Sequence, residues 1–336
     1  GEKHTIKNLT IEKDKDANGI GFFAAIKGST VKDLSIENAK LRGGAVIGVL
    51  VGEAQVDAAA GKNNLIAHCK VSGTVEAKGE RVIKVADAGG LVGAAQEKTD
   101  PNTYDYATTT IFDSHADVKV TADTGANDKA TSGHVGGLVG HNKGKIIDST
   151  SKGDVIGGNT TGGLVGYNDG SVRGSSATGN VKGAFNVGGF LGGSGPYSAT
   201  KDSYSTGDVK PVEGSKAEFI GGFAGTVSGK VENCVSTGTV TPGWSWNGGF
   251  AGKIDGPITG PNAAVKDCYG NCNDFNNETL KAFGSYLPNP SDTALTEAAE
   301  KMQVDKKTAE DLANDKFAAN INHEETQSKL DIERVE

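Results

Sequence analysis

From Ile20 to Cys272 the chain repeats one short pattern of apolar, polar and small residues. Each unit opens at a mostly β-branched apolar position, held in turn by Val31, Ile66, Ile111, Ile146, Val172, Thr200, Val231 and Val265. Two residues on stands a polar position (Asp33, His68, Asp113, Asp148, Gly174, Asp202, Asn233, Asp267), followed at once by a mostly small one (Leu34, Cys69, Ser114, Ser149, Ser175, Ser203, Cys234, Cys268). Two further on come Ile36, Val71, Ala116, Ser151, Ala177, Ser205, Ser236 and Gly270, and most units close on a valine (Val75, Val120, Val155, Val181, Val209, Val240). A spacing of two puts side chains on one face of a strand. The stretch lacks the three-to-four residue rhythm of an amphipathic helix, which excludes helical repeats of similar length.

A five-residue phrase precedes each unit: a glycine pair, a large apolar residue, a smaller apolar one and a third glycine. It occurs at 89–93, 136–140, 162–166, 188–192, 221–225 and 248–252, with looser copies at 48–52 and 20–24. From Gly136 to Gly162 to Gly188 the period is about 26 residues; longer steps elsewhere are that unit plus insertions. Units of short strands and turns bury their apolar positions only by stacking, like residue over like, about 4.8 Å apart. The predicted fold is a right-handed parallel β-helix of about eight coils, a rod of roughly 40 Å.

Two features of the phrase carry expectations of their own. Paired glycines suggest a tight corner at positive φ. The adjacent apolar residues would point to opposite faces of a regular strand, leaving Val92, Val139, Val165, Leu191, Ala224 and Ala251 as an exposed stripe that needs a cover. A bend that turns both residues inward is the preferred alternative.

The recurrent phrase Gly-Gly-Leu-Val-Gly, as at 136–140 and 162–166, followed by a turn and then a pattern of the form Val-x-Asp-Ser-x-Ser-x-Gly-x-Val, resembles the GLUG repeat, over about residues 19 to 272. The resemblance implies β-helical stalks of bacterial surface proteins, among them adhesin-like proteins and the non-catalytic regions of metallo-type immunoglobulin A proteases. It does not bring the protease chemistry, which needs a helical His-Glu-x-x-His zinc site. Here His323-Glu324 is followed by Glu325, Thr326 and Gln327.

After Asn273 the pattern changes. Asp292 to Glu300 and Thr308 to Ala319 read as short helices, suited to capping the open end of a solenoid. The division expected is therefore 1–272 for the β-helix and 273–336 for a helical cap and linker. A start at Gly1, with Met302 the one methionine, is read as a trimmed piece of a secreted or anchored protein.

A net charge of −8 with both signs mixed argues against nucleic acid, which demands basic clusters. No run of 18 apolar residues exists, so no membrane span is expected. Cys69, Cys234 and Cys268 fall on the small column and are expected as buried thiols filling space. A Cys234–Cys268 or Cys268–Cys272 bridge is the alternative. No histidine stands near Cys234, Cys268 or Cys272, and Asn271, Asn273, Asp274 and Glu278 fit no strong calcium spacing. No metal and no cofactor are expected.

Insertions gather on both sides of the phrase, near 53–63, 94–109, 193–199 and 253–264 after it, and near 76–87, 121–134, 210–219 and 241–247 before it. Loops on a rigid scaffold are where recognition usually sits. Trp244 and Trp246 share a face if their segment is extended, a geometry suited to stacking on sugar rings. Tyr104 and Tyr106 repeat that spacing, and Tyr197 sits in a third loop. These five are the candidate ligand-binding residues; the competing role is to anchor their own loops.

Aspartates such as Asp113, Asp148, Asp202 and Asp267 appear one per unit, as turn residues do, rather than as the close carboxylate pair of a glycosidase. The expectation is a non-catalytic, extracellular or cell-surface module. It would display loops to a host or environmental glycan or an extracellular protein. A stalk for another domain is the alternative, and a polysaccharide-acting enzyme a more distant one.

Overall fold

The computed structural model describes residues 3–14, 19–44, 46–78, 86–99, 106–122, 133–256 and 264–271, with the strands Phe283–Tyr286 and Gln303–Val304. Tyr104, Cys272 and both expected C-terminal helices lie outside the described residues.

The chain is a parallel β-solenoid. One coil shows the plan. Wall 1 is Thr160–Gly162, wall 2 Val165–Asn168, wall 3 Ser171–Arg173, and wall 4 comes in two pieces, Ser176–Ala177 and Val181–Gly183. Each strand pairs in parallel with its equivalent one coil away. Wall 2 alone runs to nine strands in strict chain order, from Phe23–Lys27 to Phe283–Tyr286. Phe283–Tyr286 and Gln303–Val304 pair onto walls 2 and 4, so the stacking continues beyond Cys272. The antiparallel pair Glu97–Thr99 with Tyr106–Phe112 belongs to an insertion.

The columns read from the sequence are the registered ladders. Val31, Ile66, Ile111, Ile146, Val172, Thr200, Val231 and Val265 pair one to the next along wall 3. Ile36, Val71, Ala116, Ser151, Ala177, Ser205, Ser236 and Gly270 do the same on wall 4. So do the closing valines, from Val75 to Val240.

Positive φ falls on the polar column and not on the phrase. Asp33, His68, Asp113, Asp148, Asp202, Asn233 and Asp267 have φ between 40° and 56°, and Gly174 takes the same place at 61°. This is the corner between walls 3 and 4. Asp, Asn and Gly enter the left-handed region at the least steric cost. The recurrent carboxylate is thus fixed by backbone conformation.

The phrase glycines answer a different demand, that of close backbone approach. A Cβ on Gly163 would lie 2.1 Å from the Gly189 carbonyl oxygen and 3.1 Å from the Ala177 Cβ. The second glycines of the neighbouring coils meet Ala116, Ser151, Ser205 and Ser236 in the same way. Each coil is therefore pinched at a waist, where phrase and wall 4 touch, and this is why that wall-4 column is small. In the C-terminal half the waist divides the interior. The main core lies on one side, and a second cluster of Val181, Val187, Val209, Ala217, Ile220 and Val240 lies on the other.

At the phrase the chain bends, and both apolar residues turn inward: Leu164 and Val165 are fully buried, as are their equivalents in every coil but the first, where Phe22 is exposed and Phe23 half-buried. The stripe that would need a cover does not exist. In the last three full phrases the larger residue is Phe190, Phe223 and Phe250, stacked at 4.7 and 4.9 Å, the spacing of the coils themselves.

The small column is a hydrogen-bonded ladder. The Ser149 hydroxyl donates to the Ile147 carbonyl at 2.8 Å and accepts the Ser114 amide at 3.2 Å. Ser114, Ser175 and Ser203 repeat this in their own coils. Cys69, Cys234 and Cys268 occupy the same column as free, fully buried thiols, each pointing at the carbonyl two residues back. Burial pushes the Cys69 thiol up from its ordinary range.

Candidate functional site

The pinch that makes the waist also makes a cleft on the outside. The third glycine of each phrase faces the wall-1 backbone of the preceding coil: a Cβ on Gly166 would lie 2.5 Å from the Val135 nitrogen, and one on Gly225 2.6 Å from that of Val187. Walls 1 and 2 therefore fold toward each other over a glycine floor, and their outward columns meet rim to rim. On wall 1 that column is Asp87, His134, Thr160, Asn186 and Phe219. On wall 2 it is Glu53, Ala94, His141, Tyr167, Gly193, Thr226 and Lys253. The insertions noted in the sequence flank this pair of walls on both sides.

One end of the cleft is polar. His134 Nδ1 lies 2.8 Å from Asp87 Oδ1, and His141 Nε2 lies 2.9 Å from Asp169 Oδ2. The two imidazoles are 4.7 Å apart, and the Tyr167 ring stacks on His134 at 5.1 Å. Burial, ahead of the opposing hydrogen bond to Asp169, pulls the His141 pKa below the usual histidine range. Burial and then the Asp169 charge push the Tyr167 phenol up.

The other end is aromatic. Phe219 stacks on Trp246 at 5.0 Å with the planes 4° apart, and Phe185 meets Phe219 edge-on at 5.3 Å. Lys253 Nζ sits 5.8 Å from the Phe219 ring and Lys216 Nζ 5.5 Å from that of Trp244. Trp244 is 70% exposed and Trp246 45%.

Of the five aromatics singled out in the sequence, the described three, Trp244, Trp246 and Tyr197, do not form one site. Trp244 and Trp246 stand together at the corner before wall 1. Their segment is a bend, with Trp246 at φ 50°, and not the extended strand that would align them. Tyr197, 96% exposed, is on a turn between walls 2 and 3. Tyr106 opens the strand Tyr106–Phe112, its side chain outside the described residues.

Sequence inspection missed Asp87, His134, His141 and Asp169, which lie up to 82 residues apart in the chain (87 to 169) and meet only through the stacking. The available signal was positional. His134 and His141 flank one phrase at the same offsets as Asp87 and Ala94 flank the preceding one.

A second concavity, of about 600 Å³, runs along the outside of wall 4 past Ser35, Lys70, His115, Lys152 and Tyr204. At its edge Asp113 accepts from His68 (2.8 Å) and His115 (3.2 Å).

The family comparison matches the GLUG motif at residues 131–156 and 157–182, the two coils that carry His134, His141, Tyr167 and Asp169. Two coils of the chain are thus GLUG motifs. Both matches begin just before wall 1 and end in wall 4, so one GLUG motif is one coil. No curated protein sequence matches the chain. Among solved structures it is similar to a candidate immunoglobulin A1 protease from Bacteroides ovatus, with 16% identity and a TM-score of 0.43. That likeness covers 85% of this chain and 66% of the other, just under two thirds of its length. Among the described residues no helix is long and apolar enough to cross a membrane.

Proposed function

We propose that this protein is a non-catalytic, secreted or cell-surface module that binds an extracellular glycan at the aromatic end of the cleft. The observation that carries it is the exposure of Trp244 and Trp246 beside Phe219. Two large rings held in water at the mouth of a rigid cleft keep apolar surface available that a structural role would bury. Their flat faces suit the apolar faces of sugar rings, and Lys216 and Lys253 add positive charge alongside. A host or environmental polysaccharide fits this end best. The mixed charge of the whole chain fits no nucleic acid.

A glycan array probed with the purified chain tests this. Binding is expected, with affinity reduced at least about tenfold in Trp244→Ala/Trp246→Ala, while the melting temperature stays within a few degrees. Release of new reducing or unsaturated sugar ends would replace the binding account with an enzymatic one. The unbroken run of nine wall-2 strands favours a second account, a rigid spacer. Under it the array stays blank and loop substitutions change nothing.

A further inference from the structure

We infer that the polar end of the cleft is a binding site for a single divalent transition-metal ion, zinc by ligand type, held by Asp87, His134 and His141. Three donor atoms from these residues lie within 4.8 Å of one another. The register supplies them. Asp87 and His134 are directly paired neighbours on adjacent wall-1 strands, and His141 reaches the same point from wall 2 across the glycine floor. Only 14 to 21% of each side chain is exposed, so the cluster is held by packing rather than waving in water.

The hydrogen bonding points to a cation. The 2.9 Å contact from His141 Nε2 to the Asp169 carboxylate, an acceptor, requires the proton on Nε2. His141 Nδ1 faces Asp87 Oδ2 at 3.9 Å, beyond hydrogen-bond reach. Two ligand atoms thus converge without a hydrogen bond between them, and a shared cation would bridge the gap. Asp169 also plays the part of the outer carboxylate that orients a ligating imidazole, and Tyr167 packs the His134 ring in place.

Two imidazoles and a carboxylate are a donor set for zinc and its first-row neighbours. Tetrahedral zinc with bonds near 2.0–2.2 Å places its ligand atoms about 3.3 Å apart. The His134–Asp87 contact must therefore open from 2.8 Å, and His134 must give up the proton that bridges it. Water completes the coordination sphere. The ion would pin the strand Ala86–Gly89 to Gly133–Gly136, and leave an open position facing the cleft.

The test is titration of the chelator-treated full chain with zinc, followed by calorimetry and by thermal melting, with cobalt(II) as a visible-absorption probe. Expected are one ion per chain with a dissociation constant below about 10 µM, a zinc-dependent rise in melting temperature, and intense d–d bands with cobalt. His141→Ala and Asp87→Asn should each weaken binding by about 100-fold, whereas Asp169→Asn should weaken it about tenfold by releasing the ring orientation. His115→Ala, which alters the other histidine cluster, should change nothing. Each variant is scored by its metal-free melt, so that misfolding is recognised; Thr160→Ala serves as a folded control on the same rim. Binding weaker than about 100 µM, or equal binding by wild type and the Asp87 and His141 variants, overturns the site.

Discussion

The two ends of the cleft share one backbone and differ almost entirely in what stands on it. At both, a phrase glycine forms the floor, and the residue just after a phrase faces the residue two before the preceding phrase. Toward the N-terminus those positions hold Asp87, His134 and His141; toward the C-terminus they hold Phe219 and Lys253, with Trp246 stacked on Phe219. The interior changes in step, from Leu91, Leu138 and Leu164 to Phe190, Phe223 and Phe250 in the same column. The coil geometry thus fixes the floor and leaves the rim open to variation. Function in a solenoid of this kind is to be sought in the outward columns, where stacking makes one position on each coil into a continuous strip.

If the backbone is common and the rim is not, substitutions at the waist must hurt equally at either end. Gly163→Ala places a Cβ 2.1 Å from a backbone oxygen that cannot move without separating two coils. We expect a loss above about 4 kcal/mol or failure to fold, read by denaturant unfolding. Gly222→Ala, at 2.2 Å from the Gly249 oxygen, should match it. The interior comparison comes next. Phe223→Ala, in the middle of the ring stack, should cost about 3–5 kcal/mol, and Leu138→Ala about 2–5. Near-zero values would mean that the stack is not a packed core.

The ladder that runs past both ends is probed by Ser149→Ala, which leaves the buried Ser114 amide without its acceptor and should cost about 1–3 kcal/mol. Ser149→Cys should recover part of this, since cysteine fills the same column in three other coils. A cysteine variant no better than alanine would show that volume, and not the bond to the carbonyl, decides the column.

The smallest effect concerns the corner outside wall 4. Hydrogen bonding from His115, ahead of that from His68, holds Asp113 below the usual carboxylate range. A carboxyl with a depressed folded pKa adds stability above its unfolded pKa, near 3.8, and that stability is lost as pH falls through the lower folded value. Asp113 is 45% exposed, so solvent screening leaves about 0.3 kcal/mol. Acid unfolding of Asp113→Asn below pH 4 should therefore be slightly less steep than that of the wild type, with its neutral-pH stability lowered by the same small amount.

The solenoid and its ladders were legible because stacking demands the same residue class at the same offset in every coil. Ile66, Ile111 and Ile146 could be aligned by eye before their pairing was seen. The role of glycine was only half legible. Repetition marks Gly163 as indispensable, but a positive φ and a contact with Ala177 leave the same trace in a sequence. The positive φ belongs instead to Asp113 and its column, whose one-per-unit recurrence already reads as that of turn residues. The polar end of the cleft was not legible at all. His134 and Asp87 are 47 residues apart (87 to 134), and only the unequal insertions, once folded out, set them side by side. Trp244 and Trp246 were found from residue type alone, since exposed tryptophan needs no partner to be conspicuous.

The difference between the two ends is tested most directly by hydroxyl-radical footprinting of the chain, free and saturated with the glycan that the array selects. Protection of Trp244, Trp246 and Phe219, with His134, His141 and Tyr197 unchanged, is the predicted result. Protection at Tyr197 or along wall 4 with the tryptophans still fully reactive would contradict it.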